Sequence, residues 1–280
     1  MAPSPETDGE RLLVAGSGDL GTRIGLGMAA AGAQVFALSR RGSPPAPLSS
    51  LHADVTEPSS LGVVPRAITT LVYCLSPAGP GLAEYERVYV GGLRNLLAAL
   101  APVRPRVLFI SSTAVYPEDT GRLVDETSDC QPSVGKGRVL RAAEAIALAA
   151  HPDSLVLRLG GIYGPGRERL LRMARGQAEL PPDAARIGNR IQVEDAARAA
   201  CHLLRGGQRG VFNGVDDRPA STLEVVAWIA AQLGRPATPV PAGDRPTGKA
   251  VSNARLRATG FVPEYPDYRS GYGALLARIC

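Results

Sequence analysis

The chain predicts an α/β fold, a doubly wound parallel sheet followed by a smaller C-terminal lobe. Three observations carry this. The apolar run 11–15 leads directly into Gly16-Ser17-Gly18-Asp19-Leu20-Gly21, and a helical pattern follows through Ile24, Met28 and Ala31. Apolar runs and helical patterns then alternate through 11–160, as parallel strands joined by crossover helices require. The runs at 69–75 and 106–111 are apolar almost throughout rather than alternating, which suits strands covered on both faces.

Taken in order, the second strand lies at 33–38, followed by a proline-rich loop over 42–47 and the segment 51–54. The strand at 69–75 is stopped by Ser76-Pro77. Residues 82–100 show helical periodicity, with Val90, Leu93, Leu97 and Leu100 on one side. A strand at 106–111, an alanine-rich helix at 134–150 and a strand at 154–159 complete the core. Beyond Gly160 the rhythm loosens into a loop at 161–166, a helix near 168–175 and a strand near 186–191. A helix near 194–204 and a strand near 211–213 come next. Ser221 caps a helix beginning at Thr222, with Glu224 at the third helical position completing a capping box. Residues 236–246 form an extended linker, and the tail with Pro263 and Pro266 packs irregularly before a final helix. The expected division is a nucleotide-binding core over 10–160 and a substrate lobe over 161–280, some of whose segments return to the core sheet.

The glycine spacing specifies the ligand class. Gly16 permits a tight turn, Gly18 lets the backbone approach a pyrophosphate, and Gly21 lets the helix close on the strand. The unpaired amides and dipole at the helix start hold the phosphates. Gly16, Gly18, Asp19, Leu20 and Gly21 are therefore candidate dinucleotide contacts on a Rossmann sheet. The second strand ends in Ser39-Arg40-Arg41. An NAD site places Asp or Glu there, about 20 residues past the glycines, to bind the ribose 2′-hydroxyl. Guanidinium forks suit a 2′-phosphate instead. The expected cofactor is NADP(H), against the alternative of two solvated arginines in an Arg-rich chain.

Composition narrows the remaining classes. The 280 residues carry a formal charge of +5, yet the basic residues are nearly all scattered arginines, with Lys136 and Lys249 the only lysines. No basic run is interleaved with aromatics, so no nucleic-acid groove is expected. Cys74, Cys130, Cys201 and Cys280 form no CxxC pair, which fits reduced thiols in a cytoplasmic protein. His52, His151 and His202 lack metal-ligand spacing, so no metal is expected. The polar, proline-containing stretch 1–10 lacks the basic-then-apolar layout of a signal peptide, and no apolar run approaches the roughly 20 residues needed to span a membrane, so neither is expected.

Several phrases resemble, in order, the extended short-chain dehydrogenase/reductases, the group of NAD-dependent epimerases and dehydratases. Ser111-Ser112-Thr113-Ala114-Val115-Tyr116 resembles the family's Ser-Ser-x-x-Val-Tyr segment, and Ala53-Asp54-Val55 its adenine-contacting pair. Arg158-Leu-Gly-Gly-Ile-Tyr163-Gly-Pro-Gly166-Arg167 is similar to its R-x-x-x-x-Y-G-P-G loop. Asn189-Arg-Ile-Gln192-Val-Glu-Asp195 resembles its H-V-x-D turn, with Gln192 where His is usual. The ending Ser252-Asn-Ala-Arg-Leu-Arg…Gly260-Phe…Tyr265-Pro-Asp-Tyr268-Arg is similar to an atypical NADP-type branch. The resemblance implies adenine contacts from Asp54 and Val55 and a substrate hydrogen bond from Ser112. It also implies a homodimer through the helices at 82–100 and 134–150.

One departure is chemical. The family's Tyr-x-x-x-Lys dyad has no counterpart, since the matching region Pro132-Ser-Val-Gly-Lys136-Gly-Arg-Val-Leu-Arg-Ala-Ala-Glu144 contains no tyrosine. Aligning on Glu144 puts Lys136 and Leu140 in the two places, whereas aligning on Ser133 puts Val134 and Arg138 there. Candidate substitutes are Ser112, Lys136, Tyr116 and Tyr163, each with a plain structural alternative: turn chemistry for Ser112, a solvated helix start for Lys136, and boundary packing for the phenols. Ser133-x-x-Lys136 also spells a fragment of a β-lactamase signature, whose companion motifs are missing. Arg167 is a candidate anion contact or a surface arginine, and Tyr73 and Tyr89 are expected in the core or cleft wall. The implied activity is an NADP(H)-dependent oxidoreductase or epimerase/dehydratase-like enzyme acting on a small polar metabolite. The rival is a non-catalytic NADP(H)-binding sensor or scaffold.

Overall fold

A computed structural model of the chain describes residues 9–117, 119–130, 135–236 and 247–278. The elements run β1 (Arg11–Ala15), α1 (Asp19–Ala30), β2 (Gln34–Ser39), β3 (Ser49–His52), β4 (Thr70–Tyr73), α2 (Leu82–Tyr85), α3 (Leu93–Leu100) and β5 (Arg106–Ser112). They continue with β6 (Thr120–Val124), α4 (Lys136–Ala150), β7 (Leu155–Leu159), β8 (Gly161–Tyr163), α5 (Arg169–Ala174), β9 (Ile187–Gly188), β10 (Arg190–Gln192) and α6 (Val193–Arg205). The last are β11 (Gly210–Gly214), β12 (Ala220–Ser221), α7 (Thr222–Gln232), β13 (Gly248–Val251), α8 (Ala254–Ala258) and α9 (Tyr268–Ala277). A large sheet has the order β11-β7-β5-β4-β1-β2-β3, the doubly wound parallel arrangement expected of strands with apolar runs. Parallel registers such as Leu13 beside Phe36 and Leu13 beside Leu71 bring fully buried strands together at its centre.

The chain divides into two compact units. The first takes Met1–Ser111, Val134–Val156 and Ala200–Gly210, and the second takes Ser112–Ser133, Leu157–Ala199 and Val211–Cys280. In the first unit the helical region expected at 82–100 contains an irregularity. α2 and α3 are joined by a π-helical stretch, Glu86–Gly92. Tyr73 Oη, buried at the end of β4, donates to Val88 O at 2.6 Å and so occupies a carbonyl of this wider turn. Gly92 makes room for it, because a Cβ there would stand 2.6 Å from Tyr73 Oη. An inserted side-chain partner of this kind is a recognised cause of helix irregularity.

The second unit carries a four-stranded sheet, β12-β9-β13-β6, and the pair β10-β8. The single strand expected near 186–191 is split between them. Asn189 breaks it: its side chain donates to Lys249 O and accepts from Val251 N, so it takes the place of a ladder residue. Residues 161–163, expected as loop, pair with β10 instead. The adjoining Gly160 lets the chains approach, since a Cβ there would lie 2.8 Å from Asn189 O. Ser221 caps α7 by accepting from Glu224 N, but only this half of the expected capping box is seen. The Glu224 carboxylate accepts from Tyr268 Oη and Arg218 instead. A complete box forms at α9 between Asp267 and Ser270. The core of this unit gathers Leu171, Met173, Val225, Ile229, Tyr272 and Leu275. Of the linker expected at 236–246, residues 237–246 lie outside the described residues, as do Ser133, Val134 and Cys280.

Replacing Tyr73 by Phe removes the hydrogen bond to Val88 while keeping the ring. The expected cost is about 1 kcal/mol, read as a lowered urea midpoint with an unchanged slope.

Candidate functional site

In the first unit the glycine turn is built tightly on two of its three glycines. Gly16 has φ +100°, and a Cβ there would stand 2.6 Å from Cys74 O and 2.9 Å from Leu75 N. Gly21 begins α1 so close to the turn that a Cβ would collide with Gly16 O and press on Val14. Gly18 differs, because nothing lies within 4 Å of a Cβ built on it. Packing therefore demands Gly16 and Gly21 but leaves the Gly18 side open. Gly18 is also the N-cap of α1 and offers no side-chain cap, so the amides at this helix start are available to an anion. Asp19 is turned aside into an ion pair with Arg23, and Leu20 is buried. A diphosphate fits this cradle.

At the end of β2, Ser39 Oγ donates to Arg41 O and holds the turn. Arg40 is 58% exposed and stands 3.8 Å from Asp54 Oδ2, and Arg41 is exposed. Asp54 Oδ1 accepts from Thr56 N and Thr56 Oγ1. Burial pushes this carboxyl up, but those bonds and the Arg40 and Arg87 guanidinium groups outweigh it and leave its pKa below the ordinary value. Val55 is buried, its O accepting from Asn95. Lys136 begins α4, exposed, with Nζ 4.8 Å from the Tyr85 ring centroid. Leu140, one candidate place for the absent lysine, is buried. Tyr73 is in the core, as expected for core or cleft wall, and Tyr89 is half-buried with its phenol pushed up to about 12 by burial and by Tyr85 and Cys74.

In the second unit Ser112 Oγ accepts from Ala114 N at 3.2 Å, so it caps the short turn Thr113–Val115. Tyr116 is buried, and its hydroxyl donates to Asn213 Oδ1 at 2.8 Å while accepting from Arg158 Nη1 at 2.9 Å. The Arg158 guanidinium also lies 5.0 Å from the centre of that ring. Burial raises the Tyr116 phenol, and Arg158 partly offsets the rise. Tyr163 is buried too, stacked on Tyr272 at 4.6 Å, with its oxygen against the backbone of Gly271. Burial, reinforced by Asp216, raises its phenol strongly. Both phenols are thus committed to packing in this conformation. Gln192 accepts from Glu194 N, and Asp195 accepts from Glu264 N and Tyr265 N, fixing the C-terminal tail within the unit.

Two polar centres organise this unit: Arg158, which the sequence offered only as the first residue of a family-like phrase, and Asp216, which it did not single out. Arg158, 2% exposed inside β7, joins Tyr116 and Cys130. Asp216, 3% exposed, gives its N–H to Arg190 O and leaves Oδ2 without a hydrogen-bond partner. Burial pushes its carboxyl up to about 8, although Arg190 pulls in the other direction. The available signal for Arg158 was an arginine placed inside an otherwise apolar strand, Ser154-Leu-Val-Leu-Arg158-Leu. Among the described residues, no group of three or more His, Cys, Asp or Glu is placed to hold a metal ion, and no helix is long and apolar enough to cross a membrane.

Comparison with known proteins assigns this arrangement to a family. The RmlD substrate binding domain family matches residues 10–278. The chain belongs to that family, within the extended short-chain dehydrogenase/reductases. A solved structure from Methylobacillus flagellatus, assigned to the NAD-dependent epimerase/dehydratases, superposes with a TM-score of 0.84 at 37% identity, covering 96% of this chain and 98% of that one. The 3-diazoavenalumate denitrifying reductase of a Streptomyces species is 29% identical over 75% of this chain and 78% of its own length. The dTDP-4-dehydrorhamnose reductase of Mycobacterium tuberculosis (strain CDC 1551 / Oshkosh) is 26% identical over 96% of this chain and 86% of its own length. The chain is thus a member of a reductase- and epimerase-like family whose members share this fold.

Asp216 titrates from an ordinary value of 3.8 in the unfolded chain to about 8 when folded. Its neutral form favours the fold, so its contribution is complete below the lower value and is lost as pH rises through the upper one. Asp216→Asn is expected to flatten the fall in stability across that window, measured as urea midpoints at each pH.

Proposed function

We propose that this chain is an NADP(H)-dependent oxidoreductase acting on an oxygen-bearing carbon of a small polar metabolite. The observation that carries the proposal is the open face at Gly18, flanked along the strand ends by an exposed Arg40 where an NAD site would have an acid. In the first unit the turn amides and the start of α1 hold the diphosphate. Arg40 and Arg41, oriented by Ser39, meet the 2′-phosphate, and Asp54 with Val55 borders the adenine. When bound, the cofactor supplies or accepts the hydride. The proton on the substrate oxygen falls to candidates in each unit: Lys136 in the first, and Ser112 in the second as a hydrogen-bond donor. Tyr116 and Tyr163 are weaker candidates, because both residues are buried with their hydroxyls engaged. The activities named for the Streptomyces and Mycobacterium relatives are reductions, which favours reduction over epimerisation or dehydration here.

A second reading, a non-catalytic NADP(H) sensor or scaffold, is favoured by that burial of both phenols. Incubation with NADPH and a panel of polar carbonyl compounds separates the two, since turnover supports the enzyme and binding without turnover supports the sensor. We place the protein in the cytoplasm, where the thiols of Cys74, Cys130 and Cys201, none of them in a disulfide, stay reduced. The helices α2–α3 and α4 are the proposed seam of a homodimer, which sedimentation at low concentration checks.

Two substitutions test the cofactor. Gly18→Val fills open space, so it is expected to leave the fold intact yet abolish detectable NADPH binding by fluorescence titration. Arg40→Ala is expected to weaken NADPH relative to NADH by about tenfold or more, the worth of a charge-assisted hydrogen bond. An unchanged ratio rejects the NADP(H) preference.

A further inference from the structure

Within the first unit, contacts from strand ends to α4 define a line of aromatic groups that the glycine turn does not use. The turn packs against Cys74 and Leu75, at the carboxyl end of β4. Tyr89 has Ser76 as a hydrogen-bonding neighbour just beyond it, and its ring meets Phe109 of β5 edge-on at 5.9 Å. Tyr85 tilts against Tyr89 at 5.4 Å, and the Lys136 ammonium lies over the Tyr85 ring. Tyr85 is half-buried and Lys136 exposed. The hydroxyls of Tyr73, Tyr116 and Tyr163 are spent on Val88 O, on Asn213 and Arg158, and on Asp267 O. Tyr85 makes no such bond among the described residues.

Sheet order says which end of a dinucleotide meets this line. The diphosphate belongs at β1 and α1, and the 2′-phosphate at the end of β2. The other half of the molecule must then extend over the opposite neighbours of β1, which are β4 and β5. Ser76 lies just beyond β4, and Tyr89 of the stretch Glu86–Gly92 packs on Phe109 of β5 with Tyr85 of α2 beside it.

We propose that Tyr85 and Lys136, drawn from two different helical elements, form the proton-donating pair of the reaction, an inference that rests on the NADP(H) oxidoreductase proposal. In the reducing direction a hydride from NADPH forms the new C–H bond at the carbonyl carbon, and the C=O π electrons move to the oxygen. The Tyr85 O–H bond breaks and its proton goes to that oxygen, giving the alcohol and NADP⁺. The phenolate left behind is stabilised by the Lys136 ammonium and regains its proton from water. Lys136 serves as the positioning and charge-stabilising residue, and Tyr85 as the catalytic one.

Two measurements on the full chain test this. Nitration by tetranitromethane, mapped by peptide mass, is expected to modify Tyr85 in the free protein and to be blocked by saturating NADPH. Adenosine 2′,5′-bisphosphate, which lacks the nicotinamide half, is expected to leave it reactive. Tyr85 staying equally reactive with NADPH bound overturns the pair while leaving the cofactor proposal standing, whereas failure of NADPH to bind at all defeats that proposal itself. Tyr85→Phe keeps the ring beneath Lys136. With a carbonyl substrate found in the panel, it is expected to lower kcat about 100-fold or more while NADPH affinity and KM stay within about twofold. Lys136→Arg is expected to keep more of the rate than Lys136→Met. Unchanged kcat in Tyr85→Phe sinks the assignment.

Discussion

The structure turns on the close approach between the first strand's exit and the end of β4. Gly16 takes a positive φ and lies almost against the Cys74 carbonyl, while Gly21 brings α1 onto Gly16 itself. Side chains at either place would push the helix off the strand, and with it the sheet centre formed by Leu13, Val14, Phe36 and Leu71. The same crowding leaves the helix start bare on one side, at Gly18. Packing and open space are thus divided among neighbouring glycines, so a single turn closes the core and leaves the start of α1 uncovered.

The second unit is organised by buried polar groups. Arg158 touches Tyr116, Tyr116 touches Asn213, and Asn213 receives the loop through Glu126 and holds Ser252. Lys249 adds a bond to Tyr116 O. Each partner satisfies another, and removing one would strand the rest in a low-dielectric interior. Such a network orients loops from distant parts of the sequence without requiring long regular elements. It also explains why a tyrosine lying in a family-like phrase, Tyr116, has its hydroxyl fully engaged away from solvent.

Much of the core was legible because its strands obey simple rules. An apolar run such as 11–15 followed by spaced glycines admits few structures, and α4 and α6 began and ended close to where periodicity placed them. The less regular elements were less legible. Asn189 divides one expected strand by using its amide as a backbone substitute, and Tyr73 widens a helix by reaching a carbonyl distant in sequence. Glu224 sits at the right spacing for a capping box but finds Tyr268 and Arg218 instead. Each outcome depends on a partner that local spacing does not specify.

From its sequence alone the chain determined the strand–turn–helix entry, the alternation of strands and helices that makes a parallel sheet, and the absence of a Tyr-x-x-x-Lys dyad. These follow from steric limits at glycine and from hydrophobic periodicity, which act between near neighbours. Tertiary structure alone decided which polar side chains are free to act. Whether a hydroxyl is available depends on what packs over it, and that is set by contacts between residues far apart in the chain. Tyr116 and Tyr163 were enclosed this way, whereas Tyr85 was brought beneath Lys136 by the packing of α4 beside α2.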